Sequence, residues 1–63
     1  MNAVTAIMII QGDKDPETLE EYLEAAQMLV DTGLAWQLQG FFGRTCEELI
    51  RQGLIKSREE PRE

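Results

Sequence analysis

Between Asp15-Pro16 and Gly33 the chain carries one uninterrupted amphipathic repeat, and this repeat constrains the fold more than any other feature. Leu19, Tyr22, Leu23, Ala26, Leu29 and Val30 recur at i, i+3, i+4 and i+7, the spacing that gathers side chains on one face of an α-helix. At about 100° per residue they fill an arc of roughly 120°. Glu17, Glu20, Glu21, Glu24 and Asp31 fill a similar arc opposite, with Met28 in its middle. Asp15 suits the N-cap, where a carboxylate accepts backbone N–H groups left free by the first turn. Pro16 suits the first helical position, since an N–H there has no partner to lose, and Glu17 places negative charge at the positive end of the helix dipole. Gly33 is the stop, a residue that takes the left-handed conformation after a last turn without strain. The pattern predicts a helix from Pro16 to about Thr32.

An apolar stripe must be covered, and a 63-residue chain has little to cover it with. A chain this short buries only about 60% of the surface it exposes when unfolded, so small domains often add a metal, disulfides or a second copy. With no His and a single Cys, Cys46, neither an intrachain disulfide nor a Cys/His zinc site can be built. Self-association is therefore the first aid to look for, and a homo-oligomer is expected. The apolar fraction of 43% argues against wholesale disorder.

The cover comes from three further segments. A short turn of helix is expected within Leu34 to Gln39. A longer helix follows with Phe42, Cys46, Leu49 and Ile50 on one face. Its start is open: Thr45 with Glu48 reads as a capping box, whereas the apolar spacing allows a start as early as Phe41. Gly43 inside it costs about 1 kcal/mol relative to Ala, which points to close contact with a neighbouring backbone. Gly53 ends it, and Leu54 can fold back onto the last turn. In the first ten residues Val4, Ile7, Ile9 and Ile10 are β-branched, which favours a strand. Nothing else resembles a strand, however, so the preferred reading is a short helix packing Val4, Ile7 and Met8 or Ile10 onto the others; the alternative is an intermolecular strand. The expected architecture is thus all-α, a small three-helix domain over residues 1–56, with a mobile charged tail over residues 57–63.

Charge and chemistry exclude more than they identify. The net charge is −6, and residues 1–43 hold one base, Lys14, against seven acids. Residues 44–63 hold five of each. Direct nucleic-acid binding needs a basic patch that displaces counterions, and none is present. Ala3 to Ile10 has no preceding Lys or Arg and is far too short to span a bilayer. With a lone unpaired Cys, a cytoplasmic setting away from membranes is expected. No imidazole is available as a base near neutral pH, so a Ser or Cys nucleophile lacks its usual partner. Cys46 sits on an apolar helix face and reads as a small core residue. The adjacent pairs Glu20/Glu21, Glu47/Glu48 and Glu59/Glu60 point about 100° apart on a helix and make no facing acid/base pair. Neither a calcium loop around Asp13 nor a phosphate loop at Gly40 and Gly43 is complete. Neither an enzyme nor a cofactor or metal site is expected.

What remains is binding. Trp36 is expected mainly in the core, as the largest side chain present, with a partner-facing role as the alternative. Phe41 and Phe42 cannot both face inward; Phe42 continues the buried face and leaves Phe41 outside. Phe41 with Arg44, three residues on, is the nominated interface pair. Gln37 and Gln39 flank Trp36, to bond a partner or tie down the turn. Glu20, Glu24 and Met28 form an acidic face with an apolar centre that could receive a basic partner.

The run from Leu29 to Gly40 (LVDTGLAWQLQG), with Gly43-Arg44-Thr45 and the stretch from Leu49 to Ile55 (LIRQGLI), resembles a family of very small proteins encoded by tailed bacteriophages. Their pattern is close to L-hydrophobic-D-S/T-G-L-A-W-Q-L-Q-G-x-x-G-R-x-A-x-x-L-I-x-x-G. Cys46 stands where many of these relatives have Ala, which supports a packing role. The resemblance implies a viral origin and action in the cytoplasm of an infected bacterium, and it carries no functional residue across. The expectation is a phage accessory protein that docks on a bacterial host or defence protein as an inhibitor. The alternatives are a self-associating structural or regulatory piece and an acidic mimic of nucleic acid.

Overall fold

The computed structural model describes residues 1–38 and 40–57, and within them the chain is all-α, without strands. Four helices follow in order: α1 (Ala3–Gln11), α2 (Leu19–Thr32), the single turn α3 (Leu34–Gln37) and α4 (Gly40–Arg51). Three are long enough to build a core, as the sequence predicts. The N-terminal segment is helical, not a strand, and Asn2 caps it, its Oδ1 accepting the Thr5 N–H at 2.8 Å.

α2 is the hub against which α1, α3 and α4 all pack, whereas α1 and α4 barely touch one another. Its buried residues are Ala25, Ala26, Leu29 and Val30. Ala6 of α1 faces this surface and, like Ala25 and Ala26, is fully buried. Small side chains at these positions let neighbouring helices pack closely, since interaxial distance follows side-chain size. Ile9, Ile10, Ala35, Phe42, Cys46 and Ile55 complete the core. Tyr22, Leu23, Leu49 and Ile50 lie half-buried around it.

Several expectations need correction. α2 begins at Leu19, not Pro16, and Asp15 is not its cap. The cap is Thr18, whose Oγ1 accepts the Glu21 N–H at 3.0 Å, while Glu21 Oε1 accepts the Glu17 N–H at 2.6 Å. The two bonds satisfy the Glu21 and Glu17 backbone donors, a variant of the capping box in which the returning carboxylate reaches the residue before the cap. Leu19, now the first helical residue, is 67% exposed because the apolar stripe runs on past the packed region. Val4 is 66% exposed, lying about 200° round α1 from Ala6. Met8 is exposed too, and of the pair Met8 or Ile10 it is Ile10 that packs inward.

The later segments follow the pattern more closely. Gly33 closes α2 in the left-handed region at φ 82°, where other residues are strained. α4 starts at Gly40, so Thr45 lies inside the helix and caps nothing. The buried face from Phe42 to Ile50 is continuous only if the first turn is already helical. After α4 the Gly53 N–H bonds the Ile50 carbonyl at 2.9 Å and the Leu54 N–H bonds the Leu49 carbonyl at 3.0 Å, the paired closure of a Schellman motif. The Leu54 backbone thus folds back, but its side chain is exposed; Ile55 is the residue that enters the core. Its position is fixed by Gln27 of α2, whose side-chain amide bonds the Lys56 backbone. Of the expected charged tail, residues 58–63 lie outside the described residues.

Candidate docking surface

Gly33 turns the chain directly into α3, and this single turn carries Trp36 to the surface. Trp36 is 48% exposed, so it is not the central core residue that its size suggests. Its indole lies over Gly43 of α4: a Cβ on Gly43 would stand 3.1 Å from Cε3 and 3.2 Å from Cζ3 of the ring. The close approach expected at Gly43 is thus made by an aromatic ring together with the Ala35 carbonyl, 3.4 Å from the same point. The glycine gives the ring a flat seat on the helix, and the rest of the indole meets solvent. Gln37 is exposed beside it.

Phe41, in the first turn of α4, is 42% exposed, and Phe42 is buried, as expected from their adjacency. The two rings meet edge to face, with centroids 5.0 Å apart and planes at 67°, a favoured aromatic arrangement. Phe41 is therefore held by a buried neighbour while presenting surface. Arg44 is exposed and runs back along the helix, its Nη1 3.3 Å from where a Cβ on Gly40 would lie. The guanidinium thus sits at the turn carrying Phe41. Trp36 and Phe41 flank α4 on different sides, since Gly43, the seat of Trp36, lies about 160° round the helix from Phe41, and Arg44 lies on the arc between them. Gln39, named above with Gln37, lies outside the described residues.

Phe41 also walls an open groove of about 470 Å³ between α1 and the start of α4, lined by Ile7, Gln11, Asp13, Leu38 and Phe42 as well. It exists because α1 and α4 pack on α2 and not on each other. The amide of Gln11 donates to the Asp13 carboxylate at its rim. Sequence spacing gives no sign of this groove, since its residues come from three separate segments.

The acidic residues sit elsewhere. Glu20 and Glu24 are exposed on α2. Met28 is half-buried and packs in part against the core. With Glu24, Gln27, Asp31 and Thr32 it lines a shallow depression.

Cys46 is fully buried, with Sγ 3.8 Å from the Ala26 carbonyl oxygen. Burial pushes its thiol above the ordinary cysteine value, because the thiolate loses solvation. It is thus kept as an inert packing group. Among the described residues no three His, Cys, Asp or Glu side chains come together to hold a metal ion. No helix among them is long and apolar enough to cross a membrane.

No curated protein and no solved structure matches the chain. A family model described as a domain of unknown function (DUF7417) matches residues 2–62. Because that match runs over nearly the whole sequence, the protein belongs to the DUF7417 family.

Proposed function

We propose that this protein acts by binding another protein, through the aromatic surface at the α3–α4 junction, and performs no catalysis of its own. The observation that carries this reading is Trp36, half-exposed yet seated on Gly43. A large apolar side chain already held in place loses little conformational freedom when a partner covers it, so more of its burial is available as affinity. Phe41 is held in the same manner by Phe42. Arg44 adds a cation beside it, and no carboxylate among the described residues pairs with that cation. Trp, Tyr and Arg are the residues on which binding energy most often concentrates. Against catalysis stand the absence of His and the burial of the one thiol.

The partner is a bacterial host or defence protein, and the chain is a phage accessory protein that blocks it in the host cytoplasm. Support for this comes from the resemblance over residues 29–55 to small proteins of tailed bacteriophages. The acidic face bearing Glu20 and Glu24 favours a target with basic surface beside its apolar site. The test is affinity capture from bacterial lysate with the wild-type chain and with Trp36→Ala and Arg44→Ala. One protein should be retained in stoichiometric amount by the wild type and lost from both variants while their helicity is unchanged. Equal retention by all three would remove the proposed surface.

A further inference from the structure

We infer that two copies of this chain pair through the outer face of α1, seating the Val4–Met8 ridge of each in the groove beside Phe41 of the other. α1 (AVTAIMIIQ) contains no charged side chain, and it is apolar on both faces. Ala6, Ile9 and Ile10 face the core, while Val4 and Met8, four residues apart, face outward. A helix that is apolar all round is ordinarily buried all round. Here only one side is covered.

Charge decides what covers the other. The remaining long helices carry charge, α2 through Glu20, Glu21, Glu24 and Asp31 and α4 through Arg44, Glu47, Glu48 and Arg51. Two copies, each at −6, repel wherever such surfaces meet. The outer face of α1 is where they can approach with the fewest carboxylates, each copy bringing Asp13 at the groove rim, where the Gln11 amide donates to it. A basic partner would instead be drawn to α2, which carries four carboxylates against the single Asp13 beside α1.

Area decides that the groove takes part. A stable interface covers about 800 Å² on each partner, roughly a fifth of the 4300 Å² accessible here. A ridge two turns long cannot supply that alone. Ile7, half-buried, lies between the ridge and the groove floor, about 60° round α1 from Val4, so it links Val4 to Leu38 and Phe41, with Gln11 and Asp13 as the polar part of the same lining. Ridge and groove belong to one face, so a two-fold axis can place each ridge in the groove of the other copy.

Sedimentation equilibrium of the full chain tests this. At about 100 µM in 0.15 M salt, the mass should be twice that of the chain. Val4→Glu alone, and Val4→Glu with Met8→Glu, should give the monomer mass with unchanged helical circular dichroism, since Val4 has no core contact to lose. Because each copy carries a net charge of −6, lowering salt to about 0.01 M should weaken the pairing by about tenfold, as screening shortens from about 30 Å to 8 Å only at the higher salt. A monomeric wild type, a dimer that survives both substitutions, or one that tightens as salt falls would overturn the inference. Trp36→Ala should remain dimeric, so failure of this pairing and failure of the proposed partner surface give separate results.

Discussion

The side-chain amide of Gln27 makes two hydrogen bonds to the backbone of Lys56: Nε2 donates to the carbonyl at 2.9 Å, and Oε1 accepts the N–H at 2.8 Å. The amide carries two N–H donors and a carbonyl acceptor; one N–H and the carbonyl meet Lys56 as a neighbouring strand would, and Nε2 also donates to Asp31 Oδ1 at 3.1 Å. A single side chain on α2 therefore satisfies the backbone on which Ile55 is carried into the core. Each such bond contributes about 0.5–1.5 kcal/mol net. Gln27→Ala should cost about 1–2 kcal/mol, read as a lower Tm, and Ile55→Ala about 2–4 kcal/mol. In the double variant the losses should fall short of their sum, since the bonds and the buried side chain hold one segment.

The start of α2 separates two caps. Thr18→Ala should cost about 1 kcal/mol, because the Glu21 N–H loses its acceptor. Asp15→Ala should leave the chemical-denaturation midpoint nearly unchanged, since the helix begins beyond it.

Gly43→Ala sets two effects against each other. Helix propensity favours Ala by about 1 kcal/mol, but the new methyl meets the Trp36 ring at 3.1 Å. The indole is open to solvent on one side and can yield by a few tenths of an ångström. Stability should stay within about 1 kcal/mol of the wild type. The Trp emission maximum should move to longer wavelength as the ring lifts from its seat. An unmoved spectrum would show that the indole does not rest on Gly43.

Cys46 gives a pH dependence with a definite sign. Its thiol is raised in the folded state by burial, so the unfolded chain loses this proton first. The contribution is fully present below the unfolded value of about 8.5 and is lost as pH rises through the folded value. Denaturation at pH 8 and pH 10 should show a larger alkaline loss for the wild type than for Cys46→Ala. Equal losses would mean that the thiol is solvated in the native state.

The helical periods of residues 19–32 and 42–50 were legible because a buried stripe imposes its spacing on the chain. So were the left-handed stop at Gly33, the inward Phe42 and the inert Cys46. The Thr18-Leu19-Glu20-Glu21 box was equally present, but Asp15-Pro16 offered a competing start that only the geometry of Glu21 resolves. Trp36 was expected mostly inside because of its size; its exposure depends on how α3 meets α4, which involves Gly43 and no periodicity. Met28 lies beside Glu24 and Asp31 as its helical angle implies, but its partial burial against the core was not legible, since that angle says nothing of what packs alongside. The groove beside Phe41 was illegible, being the space left when two helices share a third.

The measurement that bears most directly on the account is a calorimetric titration of the captured bacterial protein against the wild-type and Trp36→Ala chains. The account predicts binding weaker by at least about thirtyfold for the variant, the loss of roughly 2 kcal/mol typical of a central anchor, with helicity and Tm preserved. Affinities equal within about twofold would contradict it.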